Sequence, residues 1–555
     1  VNAVDEHDAE EAGPTTPTLR AVFGSLGGPR RELVVAGLAA VVSMIVIGRL
    51  ARDFWFRYDN FYLVADRDIS SLNDWFRPHV GHWLTWTVLV SRGLFGAFGM
   101  DYWPWWYLPR LIGHAALSFL IWRVVLQRGA DRLIAFGSYL VLLFLAVSYF
   151  HDALTIANYF VFGGLIIAAL LLVEVDQPRT SHLVALGAAV MAAVMGNGYG
   201  LTVLLSIAAV AALTRRLRRW APALAVPAVA YAIWYVHYRS SFPDDQASVS
   251  LGTATDAIEP SLVVLRTAIE NTLGVPGLIA AVLLVVVAAG MGWLLVQRRL
   301  DRFDAVMAVA LALTLGILAV ARTVPRPGTE TSARYGYSVV VLGVLLVVPY
   351  LRLPRAQAVR VVVACVLVAI VAFNAVSLQR RLNEREEIST LIRTQAETTA
   401  ALIVDGEPYV SYSKFGEQIL PILIGQLTDT GWRPSASEDP AVLDTVRAGM
   451  RIATPTRKRI ESLDIGPGDP PSAVGVDDEG CVQLEPDERL ELQINGEGSV
   501  ELTGRLHITW SDPFGTVEAT VTGPVVGFAD PVDGTEVEAV TAGARPATIC
   551  GLRPA

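Results

Sequence analysis

"LVVAGLAAVVSMIVIGRLARDFWFRYDNFYLVADRDISSLNDWFRPHVGHW", Leu33 to Trp83, places two stretches side by side that want different solvents. From 33 to 51 the only ionisable side chain is Arg49, whereas Arg57 to Trp83 holds four aspartates, three arginines and two histidines. A helix of about 20 apolar residues matches the hydrocarbon thickness of a bilayer. Ionisable groups at a membrane edge are costly against lipid and are tolerated where they line a polar cavity. The pair therefore reads as a membrane span followed by an outer loop that builds a polar site.

The rest of the chain agrees with a polytopic reading. Of 555 residues 53% are hydrophobic and 17% charged, and the mean hydropathy is +0.45, too apolar for a soluble protein of this size. Further apolar segments at 105–126, 133–150, 156–174, 181–195, 199–213, 221–237, 276–297, 303–321, 336–351 and 357–377 bring the candidate spans to eleven. The pair around "GNGYG" (Gly196–Gly200) is short enough to be a hairpin or one broken helix. With residues 1–32 as an acidic, disordered cytoplasmic tail, the inner connections carry Arg30 and Arg31, "RGADR", "QPRT", "TRRLRR", "QRRLDR" and "RLPRAQAVR". Each obeys the positive-inside rule. That orientation puts the first loop, 52–104, and everything after the last span outside.

Within the loop, "HWLTWTVLVSRGLFGAFG" is interrupted by Arg92 and reads as an interfacial helix. Trp103, Trp105 and Trp106 read as an aromatic belt. After residue 377 a surface helix leads into an extracytoplasmic helical or mixed connector, 378–470. Residues 471–555 read as a β-sandwich-like domain: "RLELQI" alternates apolar and polar residues and runs into Asn495-Gly496, a hairpin signal. Cys481 and Cys550 bracket that domain and could staple its edges in an oxidising compartment. The third cysteine, Cys365, sits in an apolar run as an inert thiol.

No phosphate-gripping loop ending in Lys, no HExxH helix and no GxSxG elbow is present, so ATP-driven and serine-hydrolase chemistry has no footing. A net charge of −9 with scattered arginines excludes nucleic acid as a partner. The unusual feature is Arg52, Arg57, Arg67, Arg77, Arg110, Arg322, Arg326 and Arg334 on the predicted outer side.

Asp59 soon after the first span, Asn73-Asp74-Trp75 about fifteen residues on, Pro78, "LFGAFG" and then "LPRLIGHAALSFLIW" follow one another in an order that resembles the GT-C glycosyltransferases. These membrane enzymes use polyprenyl-phosphate sugars and include the protein O-mannosyltransferase and lipid A aminoarabinose transferase groups. "SARYGYSVVV", with Arg334 and Tyr335, resembles an Arg-Tyr at the mouth of a late span in that superfamily. The resemblance covers roughly 33–377. Asp59-Asn60 stands where the family usually has "DE" or "DD", and "RPHVGHW" shortens the segment after the "DW", which leaves metal use and acceptor class open.

The resemblance implies an inverting transferase that moves a sugar from a polyprenyl-phosphate donor to a cell-envelope glycan or lipid acceptor. A carboxylate in a partly desolvated loop can take the acceptor proton, and Asp59 is the candidate, with a helix-capping or solvated aspartate as the competing reading. Asp152, in the second outer loop, is the supporting acid that the family often has there. Arginines should face the departing phosphate: Arg334 first, then Arg77, with lipid headgroup binding as the alternative. His79 and His82 would share a face if helical; lacking a clear third ligand, they read as hydrogen-bonding groups for sugar or phosphate rather than as a metal pair. Tyr199 and Tyr335 complete the substrate-binding set. No cofactor is assigned, and a divalent ion stays open.

The Lys-poor, Ala/Val/Arg-rich usage points to an actinobacterial plasma membrane, with cell wall biogenesis or lipoglycan assembly as the setting and the C-terminal domain as carbohydrate-binding or docking. The rival readings are a flippase for lipid-linked sugars and a non-catalytic scaffold.

Overall fold

The computed structural model describes residues 29–146 (save 57, 66, 68, 69 and 80), 155–239, 257–320, 333–405 and 421–446 (save 441, 444 and 445), followed by short strands between 452 and 550. In chain order the helices are α1 (Arg30–Leu50), α2 (Tyr58–Val64), α3 (Leu72–Phe76), α4 (Thr85–Phe98), α5 (Leu108–Gln127), α6 (Arg132–Leu143), α7 (Thr155–Glu174), α8 (Thr180–Val194), α9 (Gly200–Leu213), α10 (Leu217–Tyr238), α11 (Ile258–Leu273), α12 (Gly277–Val296), α13 (Arg302–Leu318), α14 (Ala333–Val347), α15 (Gln357–Val404) and α16 (Pro421–Asp429). Two compact units result. The first comprises the described parts of Val1–Arg52, Ile69–Val90 and Trp106–Asn383, the second those of Asp53–Asp68, Ser91–Trp105 and Glu384–Ala555.

Each of the eleven apolar segments of the sequence coincides with a helix, and α1, α5, α7, α12 and α15 are long and apolar enough to cross a membrane by themselves. Their exposure is the physical argument for hydrocarbon. Along α12 only Ala280 is buried, while Leu278, Val282, Val285, Val286, Trp293 and Val296 face outward. In water such a surface would be an aggregation site. Between the segments 221–237 and 276–297 lies α11, a helix of low hydropathy with Pro260 in its first turn and the ion pair Arg266–Glu270 at 3.1 Å. "GNGYG" resolves into two helices, α8 and α9, joined by a turn. The last span and the surface helix after it form one continuous 48-residue helix, α15.

One end of the first unit is a rim of charged connections. Arg128 bonds Asp301 at 3.0 and 3.1 Å and Asp304 at 2.8 Å, and its guanidinium lies over the Phe303 ring. Tyr350 also donates to Asp304. Arg360 grips Asp131 at 3.0 and 3.3 Å, Arg132 meets Glu32, and Asp176 pairs with Arg216 and Arg302. All six connections predicted as basic and inner therefore meet at this rim. Three helices close there with the same backbone signature. The N–H of residue 130 bonds the 125 carbonyl, that of 216 the 211 carbonyl and that of 299 the 294 carbonyl, around Gly129, Arg215 and Arg298 at φ +87°, +56° and +54°. This is the Schellman closure, and two of its three left-handed positions are filled by arginine.

In the second unit, α2 and the second half of α4 are joined by the Arg92 guanidinium, which donates to the Val64 carbonyl and lies over the Phe95 ring. Phe56 packs edge-on to Tyr102, Trp55 sits beside Trp432, and Ser389 on α15 bonds the Trp55 amide. Trp105 stacks on Phe98. Trp106 departs from the belt expected of it: just before α5, it is 1% exposed, whereas Trp103 and Trp105 remain open.

The strands are β1 (Ile452–Ala453), β2 (Asp464–Pro467), β3 (Cys481–Leu484), β4 (Arg489–Asn495), β5 (Gly498–Thr503), β6 (Arg505–Asp512), β7 (Gly515–Thr522), β8 (Val525–Phe528), β9 (Glu536–Thr541) and β10 (Ala547–Cys550). They form two antiparallel five-stranded sheets, ordered β1-β8-β5-β10-β3 and β2-β4-β9-β6-β7. The hairpin expected at Asn495-Gly496 is not made. β4 already pairs with β2 and β9 on its two edges, so the chain crosses to the other sheet, where β5 pairs with β8 and β10. The tight hairpin is β6–β7 instead, with Asp512 opposite Gly515.

Three substitutions check the rim. Burial would raise the Asp131 carboxyl, but the Leu133 amide and the Arg360 guanidinium outweigh it and hold the group below the usual carboxylate range. Such a carboxylate stabilises the fold above its unfolded pKa, about 3.9, and the contribution is lost as pH falls through the lower folded value. Asp131→Asn keeps the cap to Leu133 and should cost under about 1 kcal/mol at pH 7, a gap that closes as the pH falls through the lowered folded value. Asp131→Ala should cost about 1 kcal/mol more through the lost cap. Arg298→Gly should stabilise by about 1 kcal/mol, since it relieves a left-handed side-chain penalty. Thermal melting in detergent reads all three.

Candidate functional site

The other end of the first unit gathers the segment 69–90 against helix ends. Asn73 in α3 accepts from the Tyr238 hydroxyl at 2.8 Å, and the Phe76 carbonyl accepts from Trp234 Nε1 at 2.7 Å. Trp83 stacks flat on Trp234 with ring centroids 5.2 Å apart, and its Nε1 donates to Thr85, which donates in turn to the Trp75 carbonyl. Trp86 bonds the Ala192 carbonyl near the end of α8 and stacks on Phe160 of α7. The "NDW" segment is thus held by the C-terminal aromatic residues of α10, a role for Tyr238 and Trp234 that the sequence reading did not foresee.

Arg77 lies 3.5 Å from Asp74, one helical turn away. His79 and His82 are not on a helix. They exchange backbone hydrogen bonds of 3.0 and 2.9 Å across a turn whose third residue, Gly81, has φ +75°. That conformation suits glycine. Residues paired in this way project their side chains to one side, so the shared face expected of the histidines is kept by a β-turn instead of a helix. His79 is buried and His82 half-buried. The His82 ring rests on the "GNGYG" turn: a Cβ at Gly198 would stand 2.9 Å from its Nδ1. In that turn Asn197 bonds Asn158 of α7 and accepts from the Tyr199 amide, both at 2.8 Å. Tyr199 precedes α9 and packs against the core.

Beneath this layer lies a polar group that sequence reasoning did not assemble. His114, 2% exposed, is 2.8 Å through Nε2 from the Leu142 carbonyl and 3.4 Å through Nδ1 from the Tyr337 hydroxyl. A carbonyl only accepts, so Nε2 carries the hydrogen. Tyr159 of α7 lies against Gly113, where a Cβ would stand 2.2 Å from its ring, and Arg110, Tyr107 and Tyr337 act on it electrostatically. Arg110 is 1% exposed. The signal was present in "LPRLIGH": Arg110 and His114 are four residues apart and so on one helix face, and intramembrane ionisable residues mark function by default. The pairings join the second turns of α5, α7 and α14, so these three helices run parallel with their N-termini at one end, opposite the charged rim.

Tyr335 is buried in the first turns of α14. Arg334 lies on the same turn, but its side chain is outside the described residues. Asp152 is also outside them, three positions before α7 begins, and Asp59 lies on α2, in the second unit, with its side chain likewise undescribed. Among the described residues no three His, Cys, Asp or Glu side chains come together as a metal site.

No family model matches the chain, and no curated protein matches it. Among solved structures, the crystal structure of ArnT from Cupriavidus metallidurans bound to undecaprenyl phosphate is similar at 14% identity and a TM-score of 0.45, over 76% of this chain and 88% of that one.

Gly198→Val tests the docking of the histidine turn. The added side chain must displace the His82 ring, so the turn loosens while the helices persist. Limited proteolysis should then cut within 69–83 several-fold faster than in the wild type, at an unchanged helical circular dichroism signal.

Proposed function

We propose that the chain is an inverting glycosyltransferase that moves a sugar from a polyprenyl-phosphate carrier to a hydroxyl of a cell-envelope glycan or lipid, on the extracytoplasmic side of a bacterial plasma membrane. The observation that carries the reading is the meeting of the N-terminal turns of α5, α7 and α14 around buried Arg110 and His114 and the partly buried Tyr159. Helix N-termini carry partial positive charge and hold phosphate with their free amides. A lipid phosphate is the anion that such an end of a membrane bundle can attract, and Arg334 stands in the first turn of α14. The opposite end, where the arginines are tied up with aspartates in the rim, offers no comparable site among the described residues.

The chemistry follows from the resemblance of "YDN" and "NDW" to the GT-C superfamily. The acceptor oxygen attacks the anomeric carbon from the face away from phosphate, the carbon–oxygen bond to the carrier breaks, and its electron pair leaves with the lipid phosphate. Asp59 takes the acceptor proton, and Asp152 supports it. His79, His82, Arg77, Tyr199 and Tyr335 contribute donors for sugar or phosphate, and the C-terminal sheets hold glycan acceptor.

Purified protein in liposomes, given a labelled undecaprenyl-phosphate sugar and envelope glycan, should release lipid phosphate together with glycosylated product. Asp59→Asn should lower the rate by about 100-fold or more, the usual contribution of a general base. Arg334→Ala should lower it about as much, in line with the loss of one group that stabilises transition-state charge. Donor that crosses the bilayer with its phosphate bond intact would refute the transferase in favour of a flippase.

A further inference from the structure

We infer that Cys481 and Cys550 form a disulfide that ties the edge strand β3 to β10 in the sheet ordered β1-β8-β5-β10-β3. The two residues are direct partners in the antiparallel register: Ala547 faces Leu484, Thr548 faces Gln483, Ile549 faces Val482 and Cys550 faces Cys481. Directly opposed residues of an antiparallel pair have Cα atoms about 4.5 or 5.5 Å apart, depending on which kind of pair they are. Both spacings lie within the roughly 4.4 to 6.8 Å that a disulfide spans. Register also decides the partner. A slip of one residue would send the two side chains to opposite faces of the sheet, and the four-residue pairing of β3 with β10, with Leu484 and Ile549 both buried, fixes it.

Position gives the bond a purpose. Among the described strands β3 ends the sheet and pairs with β10 alone, while β10 pairs on its other edge with β5. A four-residue edge strand held by one ladder frays readily, and β10 is the last strand of the chain order. Joining 481 to 550 closes the loop that contains β4 to β9, so it fastens the first and last members of that series together. The third cysteine, Cys365, is in the apolar stretch of α15 and has no strand partner.

The bond forms by thiol–disulfide exchange. One cysteine thiolate attacks a protein disulfide donor, the second thiolate displaces that donor's sulfur, and the donor leaves reduced by two electrons with both protons released to it or to solvent. Such donors act in the oxidising space outside the plasma membrane, which is the side the positive-inside rule assigns to this segment. The disulfide does not rest on the glycosyltransferase reading.

The test counts thiols on the full-length protein. Cells are treated with membrane-permeant N-ethylmaleimide before lysis, and the protein is purified, denatured and alkylated again, with or without reductant, using a heavier maleimide. One N-ethylmaleimide adduct per chain, two further heavy adducts after reduction, and a tryptic peptide pair joining 481 to 550 are expected. Cys481→Ser and Cys550→Ser should each leave two thiols alkylated without reductant, whereas Cys365→Ser should leave none. Three adducts on the wild type before reduction overturn the inference, and so does a species of twice the mass that reduction collapses.

Discussion

Arginine cannot be left in hydrocarbon, and this chain resolves that constraint by pinning the arginines of its basic connections to aspartates and helix ends at a single rim. Arg128 between Asp301 and Asp304, Arg360 on Asp131, and Arg216 with Arg302 around Asp176 join connections that are far apart in sequence. Each ion pair also serves a helix terminus. Asp131 and Asp301 cap α6 and α13, and Arg216 donates to the Leu172 and Val175 carbonyls at the end of α7. Charge that would oppose insertion becomes the means by which helix ends are satisfied.

Once the rim fixes one end, the other end is determined. Helices that finish at the rim, α5, α7, α9 and α12, must begin opposite it. Residues 69–90 occupy this end through aromatic and amide contacts: Tyr238 to Asn73, Trp234 to Phe76, Trp86 to Ala192. The bundle is thereby chemically asymmetric: Arg–Asp pairs join distant connections at one end, while aromatic, amide and imidazole contacts hold segment 69–90 at the other, where Arg77 pairs with its neighbour Asp74.

Much of this was legible in the sequence because membrane solvation acts residue by residue: an apolar run of about 20 residues has few other fates. The eleven helices and the six basic connections follow from it. What was not legible depends on partners that composition does not name. Trp106 looks like Trp103 and Trp105 in sequence but is buried, because burial is decided by tertiary packing. The Asn495-Gly496 signal encodes a local turn preference, and the pairing of β4 on both edges overrides it. The histidines were placed on one face for a helical reason that does not hold. Gly81 at φ +75° gives the same face through a turn. For the candidate site, "NDW" and "GNGYG" were singled out separately, and only the fold brings His82 onto Gly198.

The buried polar group between α5, α7 and α14 explains why those three helices associate as they do. Helices in lipid gain little from apolar contact, since lipid tails are as apolar as leucine. A hydrogen bond that would otherwise go unmade therefore discriminates between alternative pairings. His114 reaches both the Leu142 carbonyl at the end of α6 and the Tyr337 hydroxyl of α14. Gly113, its neighbour, has no side chain, which lets Tyr159 of α7 approach the α5 backbone. Substituting either residue would leave polar groups facing hydrocarbon or push α7 away, so the fold and the candidate site are held by the same atoms. In this bundle the polar interior selects the packing, and the packing in turn sets three helix N-termini side by side.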